Sequence, residues 1–215
     1  FDLSPRKITI QEGLNVFEIA ELLQNHLPKF DKQKFLNLAE DKEGYLFPDT
    51  YFFAPNVKAE TVIETMENNF KKKISELRLI LEDSGRTTEE IVSMASILET
   101  EAKTEESRRI ISGILWKRLE MEIPLQVDVT FKYINGKNTY QLTREDLKID
   151  SPYNTYIYKG LPPGPISNPG LNALLAALEP KETEYLYFMS DKKGNFYYAV
   201  TFEEHVRNKS RYLYN

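Results

Sequence analysis

The 215-residue chain contains no cysteine. That excludes a disulfide framework, thiolate metal sites and a thiol nucleophile. Imidazole is almost as scarce, with only His26 and His205, which lie far apart in sequence. A histidine-rich zinc site has too few ligands, and no H-E-x-x-H occurs. No apolar run approaches the roughly 20 residues that span a bilayer. G-x-S-x-G, P-loop and G-x-G-x-x-G motifs are also missing, which removes support for the common hydrolase, nucleotide and dinucleotide readings. Positive charge is in deficit, with a net charge of -5, so neither nucleic acid nor an anionic membrane surface is the expected main partner. The chain begins at Phe1, not Met, and reads as trimmed from a longer protein.

What is present is an ordinary globular composition. At 41% apolar, 215 residues can bury one sizeable core, or a core with a small appendage. "RKITI" reads as a strand, followed by a turn at Gly13 and a helix carrying Val16, Ile19, Ala20, Leu22 and Leu23. "DKQKFLNLAED" is a second short helix, and "EGYLFPDTYFF" is extended, with Pro48 breaking any helix. A long amphipathic helix is expected from Ala59 to Leu81. Thr87 and Glu90 have capping-box spacing and open the next helix, and Thr104 caps the one after it. "IPLQVDVTFKY" fits a strand or a short helix, and "TREDLK" a single capped turn. Ser151 to Gly170 holds five prolines and three glycines, a loop with a stiff backbone. Asn168 then looks like the cap of a helix with Pro169 in its first position, and a late hairpin and a final helix from Thr201 follow. Mixed helices with one hairpin indicate an α+β fold.

The helix opened by Thr87 carries an anomaly, "SMASILETEA". At about 100° per residue, Ile91, Ala95, Leu98 and Ala102 share one arc, widened by Met94, Ile97 and Val92. Ser93, Ser96, Thr100 and Lys103 fill the polar sector. Glu101 falls between Ile97 and Met94, and Glu99 between Ala95 and Val92, so the two acids sit on opposite edges of the buried arc. A carboxyl against apolar walls has its pKa raised and can hold a proton for a leaving group. The alternative is that each acid pairs with a base, for which Arg108, Arg109, Lys117 and Arg118 on the following helix are available. The run "SPYNTYIYKGLPPGPISNPG" places Tyr153, Asn154, Tyr156 and Tyr158 beside the stiff loop. Aromatic faces and fixed amides suit sugar rings, although a loop that merely covers the core has the same composition.

Five stretches in this order resemble the YceG-like family of endolytic murein transglycosylases. They are "EGYLFPDTY" from Glu43, "MASILETEA" from Met94, "LQVDVTFKY" from Leu125, "SPYNTY" from Ser151 and "GLPPGPISNPG" from Gly160. The resemblance implies a reduced LysM-like subdomain at 1–42, marked by "EGLNVFEIAELL", and a catalytic domain at 43–215. It implies a lytic reaction that cleaves the β-1,4 bond between N-acetylmuramic acid and N-acetylglucosamine inside glycan strands, leaving 1,6-anhydro-muramyl ends. Glu101 matches the family's catalytic acid. Gln126, Asp128, Tyr153 and Asn154 fall in family motifs as substrate contacts or groups that orient Glu101. Glu99 is expected to tie its helix to neighbouring loops, and Asp49 and Thr50 to fix the "FPDTY" turn. No metal or organic cofactor is implied.

The resemblance also implies peptidoglycan glycan strands as partner, with the cell-wall synthesis machinery as a further one. It places the protein on the outer face of the bacterial cytoplasmic membrane, anchored by an N-terminal helix outside this chain. Two departures stand out: the stretch from Gly13 to Glu43 is short, and Val129 stands where the family commonly has proline. Rival readings are a non-catalytic peptidoglycan-binding module, an architectural partner of wall synthesis, and a two-carboxylate muramidase hydrolase using Glu101 with Asp128 or Glu43.

Overall fold

A computed structural model describes residues 4–213. Its first layer is a β-α-α-β unit. Strand β1 (Arg6–Thr9) pairs antiparallel with β2 (Thr50–Phe53), with Lys7 opposite Phe52 and Ile8 opposite Tyr51. Between them lie α1 (Val16–His26), opened by an Asn15–Glu18 capping box, and α2 (Lys32–Leu38), capped by Asp31. Val16, Ile19, Ala20 and Leu23 of α1 face Phe35 of α2 and the strand residues Ile8, Tyr51 and Phe53. Val62, Ile63 and Met66, on the first half of α3 (Ala59–Glu76), belong to the same cluster. The apolar cores therefore do not divide at 42/43. β2 and α3 lie beyond that point in sequence yet complete the N-terminal core, because β1 needs β2 as its pairing partner.

The helix expected from Ala59 to Leu81 is two helices. It breaks at Leu77, whose amide turns back onto Ile74, and resumes as α4 (Arg78–Ser84). The break turns Leu77 inward, to 7% exposure. At the centre of the second core is α5 (Thr88–Glu101), with α6 (Glu105–Glu120) and α8 (Leu171–Leu178) packed around it. Between α6 and α8 come α7 (Thr130–Asn135), two single 3-10 turns, and the proline-rich loop. Hairpin β3 (Tyr187–Ser190) and β4 (Phe196–Ala199), with Tyr187 opposite Ala199, closes the fold with α9 (Phe202–Tyr212). The architecture is α+β, mostly helical, with two two-stranded sheets among the described residues.

Two local expectations change. Helix α8 starts at Leu171 with Gly170 at its cap, not at Pro169. Asn168 is fully buried and bridges distant segments instead: its Nδ2 donates to Glu43 Oε1 (2.8 Å) and Leu14 O, and its Oδ1 accepts from the Leu46 amide. Ser93 and Ser96, assigned to a wet sector of α5, are also buried. The proline-rich loop lies over them. Ser96 Oγ accepts from the Ile166 amide at 3.0 Å, and Ser167 Oγ donates to Ser96 O. No helix among the described residues is long and apolar enough to cross a membrane.

Candidate functional site

Residues Ile91 to Leu98 of α5 are all buried, so the middle of the helix is a rod fixed in the core, and the helix reaches the surface at its first and last turns. Glu99 and Glu101 lie on the last turn. Their surroundings separate them completely. Glu99 is ion-paired with Arg108 of α6, and its Oε2 accepts from the Gly170 amide at 2.9 Å. Burial pushes its carboxyl up, while the Gly170 amide and the Arg108 guanidinium pull in the opposite direction. Arg108 Nε also donates to Ala102 O at 2.8 Å, which pins the residue after α5. Of the four bases on α6, Arg108 serves Glu99, and the others are engaged elsewhere. Arg109 lies near Glu105 and Glu179, Lys117 donates to Thr183 O, and Arg118 donates to Pro124 O.

Glu101 has no base. Its carboxyl is pushed up to about 8, first by burial and second by the nearby Asp128 carboxylate; only a hydrogen bond from the Val129 amide opposes this. Its place as the last residue of α5 works the same way, because the carbonyl end of a helix disfavours an anion. Glu101 therefore holds its proton near neutral pH.

The segment before α7 brings Asp128 to this carboxyl. Leu125 and Val127 are buried at 2% each, while Gln126 between them is exposed. Gln126 has φ +54°, the left-handed region that a non-glycine side chain occupies only when its surroundings hold it there. Two contacts do so. Its amide donates to Thr155 O at 3.0 Å, and its Oε1 accepts from Arg118 Nη2 at 2.8 Å. Asp128 accepts from Tyr156 Oη at 2.5 Å. Burial raises the Asp128 carboxyl, whereas the Tyr156 hydroxyl and the Lys209 ammonium on α9 lower it. Burial thus raises both carboxyls; at Glu101 one amide opposes it, and at Asp128 a hydroxyl and a cation do.

Tyr153 is half-buried, its ring centroid 4.8 Å from that of Tyr133. Asn154 is placed differently from the expectation. It is 0% exposed; its Nδ2 donates to Leu147 O and Ile149 O, and its Oδ1 accepts from the Tyr156 amide. Every polar atom is committed inside the loop, so it holds Tyr156 in place and has no surface to offer a sugar. Asn154→Ala should orphan two carbonyls and one amide and cost about 2–3 kcal/mol. Thermal unfolding checks this, and an unchanged melting temperature would count against it. Glu43 is not at this site; it is buried, with its carboxylate held by the Val16 amide and Asn168. Asp49 and Thr50 do fix their turn, where Asp49 accepts from the Thr50 amide and from Asn69.

Sequence reasoning missed Tyr156, Arg118 and Lys209 as parts of this arrangement. Tyr156 stood in a quoted cluster of tyrosines. Nothing local marks Arg118 or Lys209, which reach the site only through tertiary packing.

Comparisons with known proteins agree with this architecture. The family model described as the YceG-like family matches residues 2–211. An endolytic murein transglycosylase of Bacillus subtilis is 32% identical over 96% of this chain and 65% of its own length. One of Streptococcus pneumoniae is 34% identical over 80% of this chain and 32% of its own length. The chain thus spans about two thirds of the first relative and one third of the second. A crystal structure of a yceG-like protein from Listeria monocytogenes superposes with a TM-score of 0.87 at 33% identity, covering 95% of this chain and 76% of that one. With its fold and nearly its whole length matched, the chain belongs to the YceG-like family.

Proposed function

We propose that the chain is the catalytic part of a lytic transglycosylase that cuts peptidoglycan glycan strands internally at the MurNAc-β-1,4-GlcNAc bond. The observation that carries this reading is the environment of Glu101: a baseless carboxyl at the end of a buried helix, kept protonated to about pH 8 beside Asp128. Glu101 protonates the glycosidic oxygen and the bond to the leaving sugar breaks. Its carboxylate then takes the proton of the muramyl 6-hydroxyl as that oxygen closes on the anomeric carbon. The carboxyl is regenerated and no water is consumed. Asp128, held by Tyr156, supplies negative charge near the developing oxocarbenium centre. Gln126 and Tyr153 are the accessible members of the expected set and serve as sugar contacts, while Asn154 acts through Tyr156. The β1-α1-α2-β2 unit supports the LysM-like assignment. The names of the relatives support action on peptidoglycan; work on the outer face of the cytoplasmic membrane, beside the synthesis machinery, is part of the proposal and rests on the family resemblance alone.

The nearness of Asp128 to Glu101 also favours a second reading, a two-carboxylate muramidase that activates water. Digestion in heavy-oxygen water separates the two. An intramolecular hydroxyl competes with water at effective concentrations of about 10⁵ M or more. The expected products are multi-disaccharide fragments with unlabelled anhydro ends. Label at the new muramyl end would establish the hydrolase instead.

A further inference from the structure

A charged side chain is rarely buried without an opposite charge. Arg118, on α6, is 5% exposed, yet no carboxylate pairs with it among the described residues. Its guanidinium meets neutral oxygens instead. Nε and Nη2 donate to Pro124 O at 3.1 and 2.6 Å, Nη1 donates to Leu186 O at 2.9 Å, and Nη2 donates to Gln126 Oε1 at 2.8 Å. The guanidinium also lies over the Tyr187 ring, 5.4 Å from its centroid.

The bonds to Pro124 and Leu186 tie α6 to the segment before α7 and to the approach of β3. They would do so with Gln126 cut back to its backbone, so scaffolding accounts for those bonds and not for the one to Gln126. Gln126 is exposed, and its backbone is left-handed at φ +54°, a conformation that glycine reaches without strain. The strain comes with having a side chain there. That side chain has one orientation open to it. A guanidinium has five donors and no acceptor, so Gln126 must turn Oε1 toward Arg118 and Nε2 away. Nε2 makes no hydrogen bond among the described residues. It is a donor held outward by a bond to a buried cation, and a bond to a charged group is stronger than a neutral one.

The Gln126 amide donates to Thr155 O and the Val127 amide to Thr155 Oγ1, so these two residues lie along Thr155. The next residues on the two segments are Asp128 and Tyr156, joined at 2.5 Å and facing Glu101. Gln126 therefore stands beside the carboxyl pair, on the segment that carries Asp128. We infer that Arg118 is a positioning residue for substrate recognition: it grips Gln126 by the carbonyl oxygen, so that Nε2 is a fixed donor to an acceptor oxygen of the glycan bound at Glu101. The inference rests on reading Glu101 as the acid of a glycan-cleaving site. It gives Gln126 a polarity, since the residue reads an acceptor and not a donor.

Gln126→Glu tests this, because it moves stability and binding in opposite directions. A carboxylate keeps the shape, supplies Arg118 with an anion and removes both donors. The melting temperature should stay level or rise. Affinity for soluble, peptide-free glycan strands, measured by calorimetry in a Glu101→Gln background expected to leave them uncut, should fall on the order of tenfold. In the same background Arg118→Lys, which keeps a donor for Oε1, should bind nearer to the parent than Arg118→Met, which keeps none. Gln126→Glu, at the surface, decides the matter if Arg118→Met does not fold. Unchanged affinity in Gln126→Glu, a loss matched by a falling melting temperature, a folded Arg118→Met that binds like the parent, or no binding by the background chain would each overturn the inference. Because the strands stay whole, the result is independent of cleavage. Lost affinity alongside labelled, hydrolytic ends from the parent would keep the Gln126 donor and remove the lytic reading; anhydro ends with unchanged affinity would do the reverse.

Discussion

Glu101→Gln should abolish strand cleavage, lowering turnover by about 10²–10⁴-fold, while leaving the fold intact. Glutamine keeps the volume of the side chain but has no proton to transfer and no carboxylate to regenerate. The parent's activity should fall as pH rises through about 8, where the carboxyl loses its proton. The same group links stability to pH. Folded, it stays protonated to about 8; unfolded, it ionises near its ordinary 4.5. Between those values the folded state holds more protons, so stability is greatest below about 4.5, declines across the window and levels off above it. The glutamine variant escapes that decline. It should melt with the parent in acid and be more stable above pH 8, by on the order of 2 kcal/mol after allowing for partial exposure. Equal differences in melting temperature at both ends of the pH range, or full activity of the folded variant, would show that Glu101 is not the acid.

Arg108→Ala should produce the largest loss of stability. Arg108 is 7% exposed and the Glu99 side chain it pairs with is 4% exposed, so the substitution leaves a buried carboxylate with only the Gly170 amide. Breaking one side of a buried pair costs about 3–5 kcal/mol. The Ala102 carbonyl loses its donor as well, which frees the end of α5 on which Glu101 rides. Denaturant unfolding should show the loss, and the folded fraction should cleave more slowly because its acid is less fixed. Adding Glu99→Gln to Arg108→Ala removes the stranded charge and should recover part of the stability. A double variant no more stable than Arg108→Ala alone would mean that the ion pair is not the source of the effect.

The two acids of one helical turn show how far periodicity reaches. Both were visible at the edges of the apolar arc, and the wheel treats them alike. Only the fold makes Glu99 structural, by bringing Arg108 and Gly170 to it, and leaves Glu101 without a base. The loop was legible as stiff but not as a cover. Its residues 166 and 167 bury Ser96, about 70 positions earlier in the chain, and turn an expected wet face into core.

Asn154, expected as a substrate contact or as a group that orients Glu101, is fully buried for a similar reason. A family motif records that an amide is needed, not whether it points outward, and here all its bonds are to its own loop.

The sequence by itself determined what depends on near neighbours. The Thr87–Glu90 capping box, the Thr104 cap, the late hairpin and the α+β class follow from spacings of a few residues, within which helix and strand periods hold. Tertiary structure alone decided which carboxyl keeps its proton, and that Tyr156, Arg118 and Lys209 shape its surroundings. Burial and opposing charge set a pKa, and both are sums over groups that the chain brings together only by folding.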